Sequence, residues 1–152
     1  MKLILLLIGV ALLTILTQVG GAVLLVSWLL VRLADARRSL ARSRAVFVLG
    51  AFIVVYALAN VLVVPSLART TGRVPLPCDL LSNAPLRPAS FLTCLLNRHY
   101  ADARIVDVAD RLASQIAERY PGTVTLYLDA NFPFLDGFPL FPHLSHSDGR
   151  KL

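Results

Sequence analysis

Leu3–Val31 reads LILLLIGVALLTILTQVGGAVLLVSWLLV, and none of its 29 residues carries an ionisable side chain. Gly9, Thr14, Thr17, Gln18, Gly20, Gly21 and Ser27 are the only interruptions. About 20 apolar residues cross a bilayer core, so the run predicts one transmembrane helix with length to spare for tilt or a bend. The Gly20-Gly21 pair is where a bend costs least. A second run, Ala45–Val64, adds 20 residues without a charge, and Pro65 is expected to close it. A charge at mid-bilayer costs roughly 2.5–3.5 kcal/mol on insertion scales, so its absence from both runs is informative. The expectation is a two-helix transmembrane hairpin over residues 1–65, with spans 3–31 and 45–64 joined by a loop at 32–44. A cleaved secretory signal is the rival reading. Its apolar core stops at about 7–15 residues, whereas this one continues through Trp28 and Leu30 with no polar cleavage region.

Outward from the two runs, the composition divides the chain. Of its 152 residues, 57% are hydrophobic and 16% charged, against about a quarter charged in an ordinary soluble domain. All 9 prolines and 8 of the 9 acidic residues lie beyond residue 64. The 32–44 loop holds Arg32, Arg37, Arg38, Arg42 and Arg44 against Asp35 alone. Short cationic loops stay in the cytoplasm, so both termini are expected outside, with residues 66–152 extracytoplasmic at a bacterial inner membrane. The net charge of +6 then reads as an insertion signal. Nucleic acid is not an expected partner, because the outer half has no basic patch with interleaved aromatics. Gln18 and Asn60 are the amides inside the spans, and an interhelical hydrogen bond explains them better than a conducted substrate.

The outer half reads as a small α/β (α+β) domain. Residues 66–101 form a Pro-rich linker with a short helix over 90–97. Cys78 and Cys94 fall within it, and an even pair on the oxidising side is most simply a disulfide, with a metal pair or reactive thiols as alternatives. Closing 15 intervening residues contributes about 3 kcal/mol in the chain-entropy model. Over Asp102–Tyr120, Ile105, Val106, Ala109, Leu112, Ile116 and Ala117 recur at helical spacing, and Pro121-Gly122 stops the helix. Thr123–Asp129 alternates as a half-buried strand, with Val124, Leu126 and Leu128 on one side and Thr125 and Tyr127 on the other. Further strand signals at 72–76 and 138–141 are interrupted by proline. Since a stable sheet needs about three strands, the 102–152 domain is expected to be incomplete, continuing past Leu152 or completed by a partner.

Residues 129–149 read DANFPFLDGFPLFPHLSHSDG and hold four of the seven phenylalanines, at 132, 134, 138 and 141. Capping a small core is their expected role, with walling a groove as the alternative. His143 and His146 follow, near Asp148 and Gly149; taken alone they read first as surface or hydrogen-bonded histidines, with zinc as the alternative that neutral imidazoles beside a carboxylate and a glycine turn would suit. Ser145-His146-x-x-Gly149 resembles the start of the signature of LAS-type zinc peptidases, the D-Ala-D-Ala metallopeptidases and murein endopeptidases. The block from Tyr127 to His146 also resembles uncharacterised bacterial membrane proteins. The peptidase resemblance spans residues 123–152 and implies zinc as cofactor, His146 as a metal ligand with His143 beside it, and peptidoglycan as substrate. The ligand Asp of that signature would fall one residue past Leu152.

Two functions follow as expectations. One is a membrane-anchored, zinc-dependent cell-wall hydrolase whose metal site is incomplete in this chain. The other is a non-catalytic membrane protein whose outer domain binds a partner in the cell envelope. Whether the chain is an enzyme the sequence leaves open. It contains no phosphate-binding glycine loop, nucleophile elbow or dinucleotide fingerprint.

Overall fold

A computed structural model describes residues 3–35, 44–79 and 83–138. His143, His146 and the strand signal beyond Phe138 lie outside the described residues. The chain divides into two compact units, at Val64/Pro65.

In the first unit the Leu3–Val31 run forms two helices, α1 (Leu3–Thr17) and α2 (Gly20–Asp35). Gln18 takes the left-handed conformation, with φ of 64°, which ends α1. The Thr17 hydroxyl then accepts from the Gly20 N–H at 2.7 Å, satisfying one of the donors exposed at the start of α2. The chain reverses here. A Cβ on Gly21 would lie 2.5 Å from the Val10 carbonyl oxygen, and one on Gly9 would lie 3.2 Å from Leu24 Cδ2. Contacts that climb one helix while descending the other define an antiparallel pair. The glycines therefore serve close helix–helix approach, where a bend in one long span was expected. α2 also packs on α3 (Arg44–Leu58), with Val23, Ser27 and Val31 buried along one stripe.

Arg44–Thr70 is a continuous 27-residue helix, long and apolar enough by length and composition to cross a membrane. It does not stop at Pro65. Proline lacks an N–H and crowds the carbonyl four residues back, here Val61. The helix accommodates this by widening to a π-turn over Ala59–Val63, with Val64 N–H bonded to Ala59 O, and resumes as α4 (Val64–Thr70). Asn60 donates to the Tyr56 carbonyl of its own helix at 2.8 Å. A hydrogen bond between the Tyr56 and Thr17 side chains joins α3 to α1.

The second unit is a small α/β layer. β1 (Arg73–Pro75) pairs antiparallel with β3 (Tyr100–Asp102), Val74 opposite Ala101, and β2 (Leu86–Pro88) pairs parallel with β4 (Thr125–Tyr127). A bridge between Tyr100 and Asn131 laces the two pairs together. α5 (Phe91–Leu95) is capped by Ser90, and α6 (Ala103–Arg119) by Asp102, whose carboxylate accepts from Arg104 N–H at 2.9 Å. The core is Leu76, Leu86, Ala101, Ala113, Tyr127 and Ala130, with Ile105, Val106 and Ala109 packed against it. On β4 the buried face is the one with Tyr127; Leu126 and Leu128 are 58% and 60% exposed. The tyrosine wins the inward position because its hydroxyl reaches a buried-side acceptor, the Pro77 carbonyl at 2.6 Å.

Phe132 is fully buried and meets Phe138 edge-on at 5.2 Å, so the aromatic segment does cap the core at this point. Phe132→Ala is expected to cost about 3–5 kcal/mol, while Leu135→Ala, on an exposed side chain, should stay within about 0.5 kcal/mol. Pulse proteolysis across a urea series in detergent reads both values.

Candidate functional site

The side chains with the most chemistry gather where β1, α5 and β4 converge. Cys78 follows β1 and Cys94 lies in α5; the two form a disulfide with Cα atoms 5.9 Å apart. The Tyr127 hydroxyl donates to Pro77 O and stands 3.9 Å from Cys78 Sγ and 3.8 Å from Cys94 Sγ. Burial raises the pKa of this phenol, keeping it a donor. The bridge thus fixes the segment after β1 to the end of α5, and Tyr127 ties both to the sheet.

His99 stands beside the sulfurs. It is 9% exposed, and its ring lies against Tyr100 with centroids 4.5 Å apart. Burial lowers its pKa to about 4, partly opposed by a hydrogen bond to the Thr93 backbone, so the imidazole is neutral at ordinary pH. Its Nδ1 has no hydrogen-bond partner among the described residues. The donor atoms of Cys78, Cys94 and His99 all lie within 4.8 Å of one another. Zinc binds thiolates, however, and both sulfurs are consumed by their mutual bond. In the bridged state this trio is not a metal site.

A second polar layer anchors the segment that leaves β4. Asp129 accepts from Arg98 at 3.2 Å and from Thr93 Oγ1 at 3.3 Å, in a largely buried ion pair. Arg73, itself buried, donates to the Phe132 carbonyl and to Asp136. The Arg98 guanidinium also lies over the Phe132 ring, 5.9 Å from its centroid. Asn97 permits the turn into β3 by taking a φ of 58°. Two arginines thus tie the segment after β4 to the domain at Asp129, Phe132 and Asp136.

Of the residues singled out by the sequence, Cys78 and Cys94 are brought together, and His143 and His146 fall outside the described residues. Arg73, Arg98, His99, Asp129 and Asn131 escaped sequence reading because no spacing rule marks them. For Arg98 and His99 the one signal was the run Asn97-Arg98-His99, hydrogen-bonding side chains directly after the apolar helix α5. No protein-family model, curated protein or solved structure matches the chain.

Neutral His99 makes stability pH-dependent. The unfolded chain takes up a proton on this imidazole between pH 6.5 and about 4, and the folded chain does not. The contribution is complete above about pH 6.5 and is lost as pH falls toward 4, on the order of 3 kcal/mol in all. Urea unfolding from pH 8 to pH 4 should show this slope in the native protein, and His99→Gln should flatten the difference.

Proposed function

We propose that the chain is an integral inner-membrane protein that holds residues 66–152 outside the cytoplasm, where the α/β domain binds an extended segment of an envelope protein. The observation that carries this reading is an uncovered apolar face. Leu126 of β4 and Leu128 just beyond it stand beside Val108 and Leu112 of α6 around a groove of about 350 Å³, all four more than half exposed. Exposed apolar patches of this kind on a small domain mark interaction surfaces.

Backbone chemistry adds the mode of binding. Thr125 N–H donates to Pro85 O at 2.8 Å, and Tyr127 O accepts from Ala89 N–H at 2.8 Å, so these residues face β2. Leu126, between them, turns its N–H and carbonyl away from β2. A strand added along that edge would bond to Leu126 and cover the leucines, giving the sheet the further strand it wants. The helix Arg44–Thr70 supplies the anchor, and the disulfide belongs with an oxidising compartment.

The zinc-dependent cell-wall hydrolase stays a separate reading, supported by the resemblance around His146. Among the described residues, the one cluster of three metal-ligating side chains is Cys78, Cys94 and His99, which the disulfide occupies. No hydrolytic step is derived from it.

A photo-crosslinking amino acid at Leu126 in intact cells tests the binding reading. It should yield a discrete adduct with another envelope protein, weakened at least tenfold by Leu112→Glu, while the same probe at exposed Arg104 yields none. Absence of an adduct at Leu126 contradicts the reading.

A further inference from the structure

We infer that the N-terminal apolar run enters and leaves the bilayer by the same face, as a re-entrant hairpin seated on the cytoplasmic side, and so never crosses it. This rests on the membrane reading above and changes its topology at one end only.

Length is the first argument. From Gly20 to Val31, α2 offers 12 residues before the first charge at Arg32, a rise of about 18 Å. A bilayer core is about 30 Å thick, so a hairpin anchored at Arg32 ends with its tip inside the hydrocarbon. α1, at 15 residues, rises about 22 Å and matches it.

The tip is built for such a place. Backbone polar groups in hydrocarbon must be satisfied internally. Thr14 and Thr17 donate to the Val10 and Leu13 carbonyls at 2.8 Å each, and Gln18 N–H donates to Thr14 O at 2.8 Å. Val23 N–H returns to Val19 O at 3.1 Å, and Gly20 N–H is taken by the Thr17 hydroxyl. The Thr17 closure of Gly20 N–H spans the turn itself, so that donor stays satisfied where no water reaches it.

Charge is the third argument. If the run crossed once, Lys2 would lie opposite the arginine loop. As a hairpin it returns α2 to the face from which α1 starts, which puts the start of the apolar run on the side of Arg32, where the anionic headgroups of the cytoplasmic leaflet meet that charge. Trp28 lies one turn from that boundary with the Arg32 guanidinium 4.8 Å from its ring centroid, an interfacial arrangement of aromatic and cation. The outer side of the hairpin, Leu5, Leu12, Leu25 and Leu29 among others, is exposed apolar surface for acyl chains to cover. The N-terminus is then cytoplasmic, and residues 66–152 remain outside because Arg44–Thr70 still crosses.

Single cysteines in the full chain test this against a membrane-impermeant maleimide, the native pair being held as a disulfide. Leu3→Cys and Ala34→Cys should label at least tenfold more in inverted vesicles than in intact spheroplasts, and Gln115→Cys the reverse. If Leu3→Cys and Gln115→Cys both label from outside, the run crosses once; the hairpin is overturned and the membrane reading stands. If Gln115→Cys labels only from inside, the membrane reading itself fails, and the hairpin topology with it.

Discussion

Leucine, isoleucine and valine side chains left uncovered among the described residues are the constraint on which this structure depends. Ile4, Val46 and Val61 are 69%, 70% and 73% exposed, and the outward faces of α1, α2 and α3 continue in kind. Each such side chain is worth about 1.5–3 kcal/mol when removed from water. The helices bury only a narrow stripe against one another, and Arg44–Thr70 is long and apolar enough to cross a membrane; on the membrane reading proposed above, lipid is the medium that covers the rest. Within that medium the remaining rules are hydrogen bonding and packing. Thr14, Thr17, Ser27 and Asn60 each return a bond to a carbonyl one turn back in their own helix. Gly9 and Gly21 bring two backbones close where no hydrophobic effect drives association.

The second unit, residues 65–152, has a core of its own. A core of six residues, three of them alanines, is marginal by itself, and three covalent or ionic ties reinforce it. The disulfide closes the segment between β1 and α5, while Arg98 and Arg73 seize Asp129 and Asp136 on the segment after β4. Breaking one partner of a buried pair such as Arg98–Asp129 strands the other charge, which makes the polar layer a determinant of shape. What these ties leave uncovered is the leucine face shared by β4 and α6. That exposed leucine face is the feature on which the proposed docking role rests.

Much of this was legible in the residues. The apolar runs, the cysteine pair, the helix before Pro121-Gly122 and the strand near Val74 each follow from a local rule, and that helix, expected over 102–120, runs from Ala103 to Arg119. The reversal at Gln18 did not, since a single left-handed residue leaves no periodic trace and the adjacent glycines suggested a hinge. Pro65 looked like a stop, but a π-turn absorbs its missing donor and its clash with Val61. The buried face of β4 ran against hydrophobic ranking, because one hydroxyl with an acceptor at 2.6 Å outweighed two leucines. β2 and β3 are three residues each, too short for alternation to register. Arg98 and His99 were silent for a different reason: their partners lie some thirty residues downstream or in a neighbouring loop.

The chain contains a single tryptophan, Trp28, on the α2 helix near Arg32. Fluorescence of the intact protein reconstituted into vesicles of brominated phosphatidylcholine therefore reports directly on whether lipid covers this surface. The account predicts blue-shifted emission, strongly quenched relative to unbrominated vesicles. Red-shifted emission that bromine leaves untouched would contradict it.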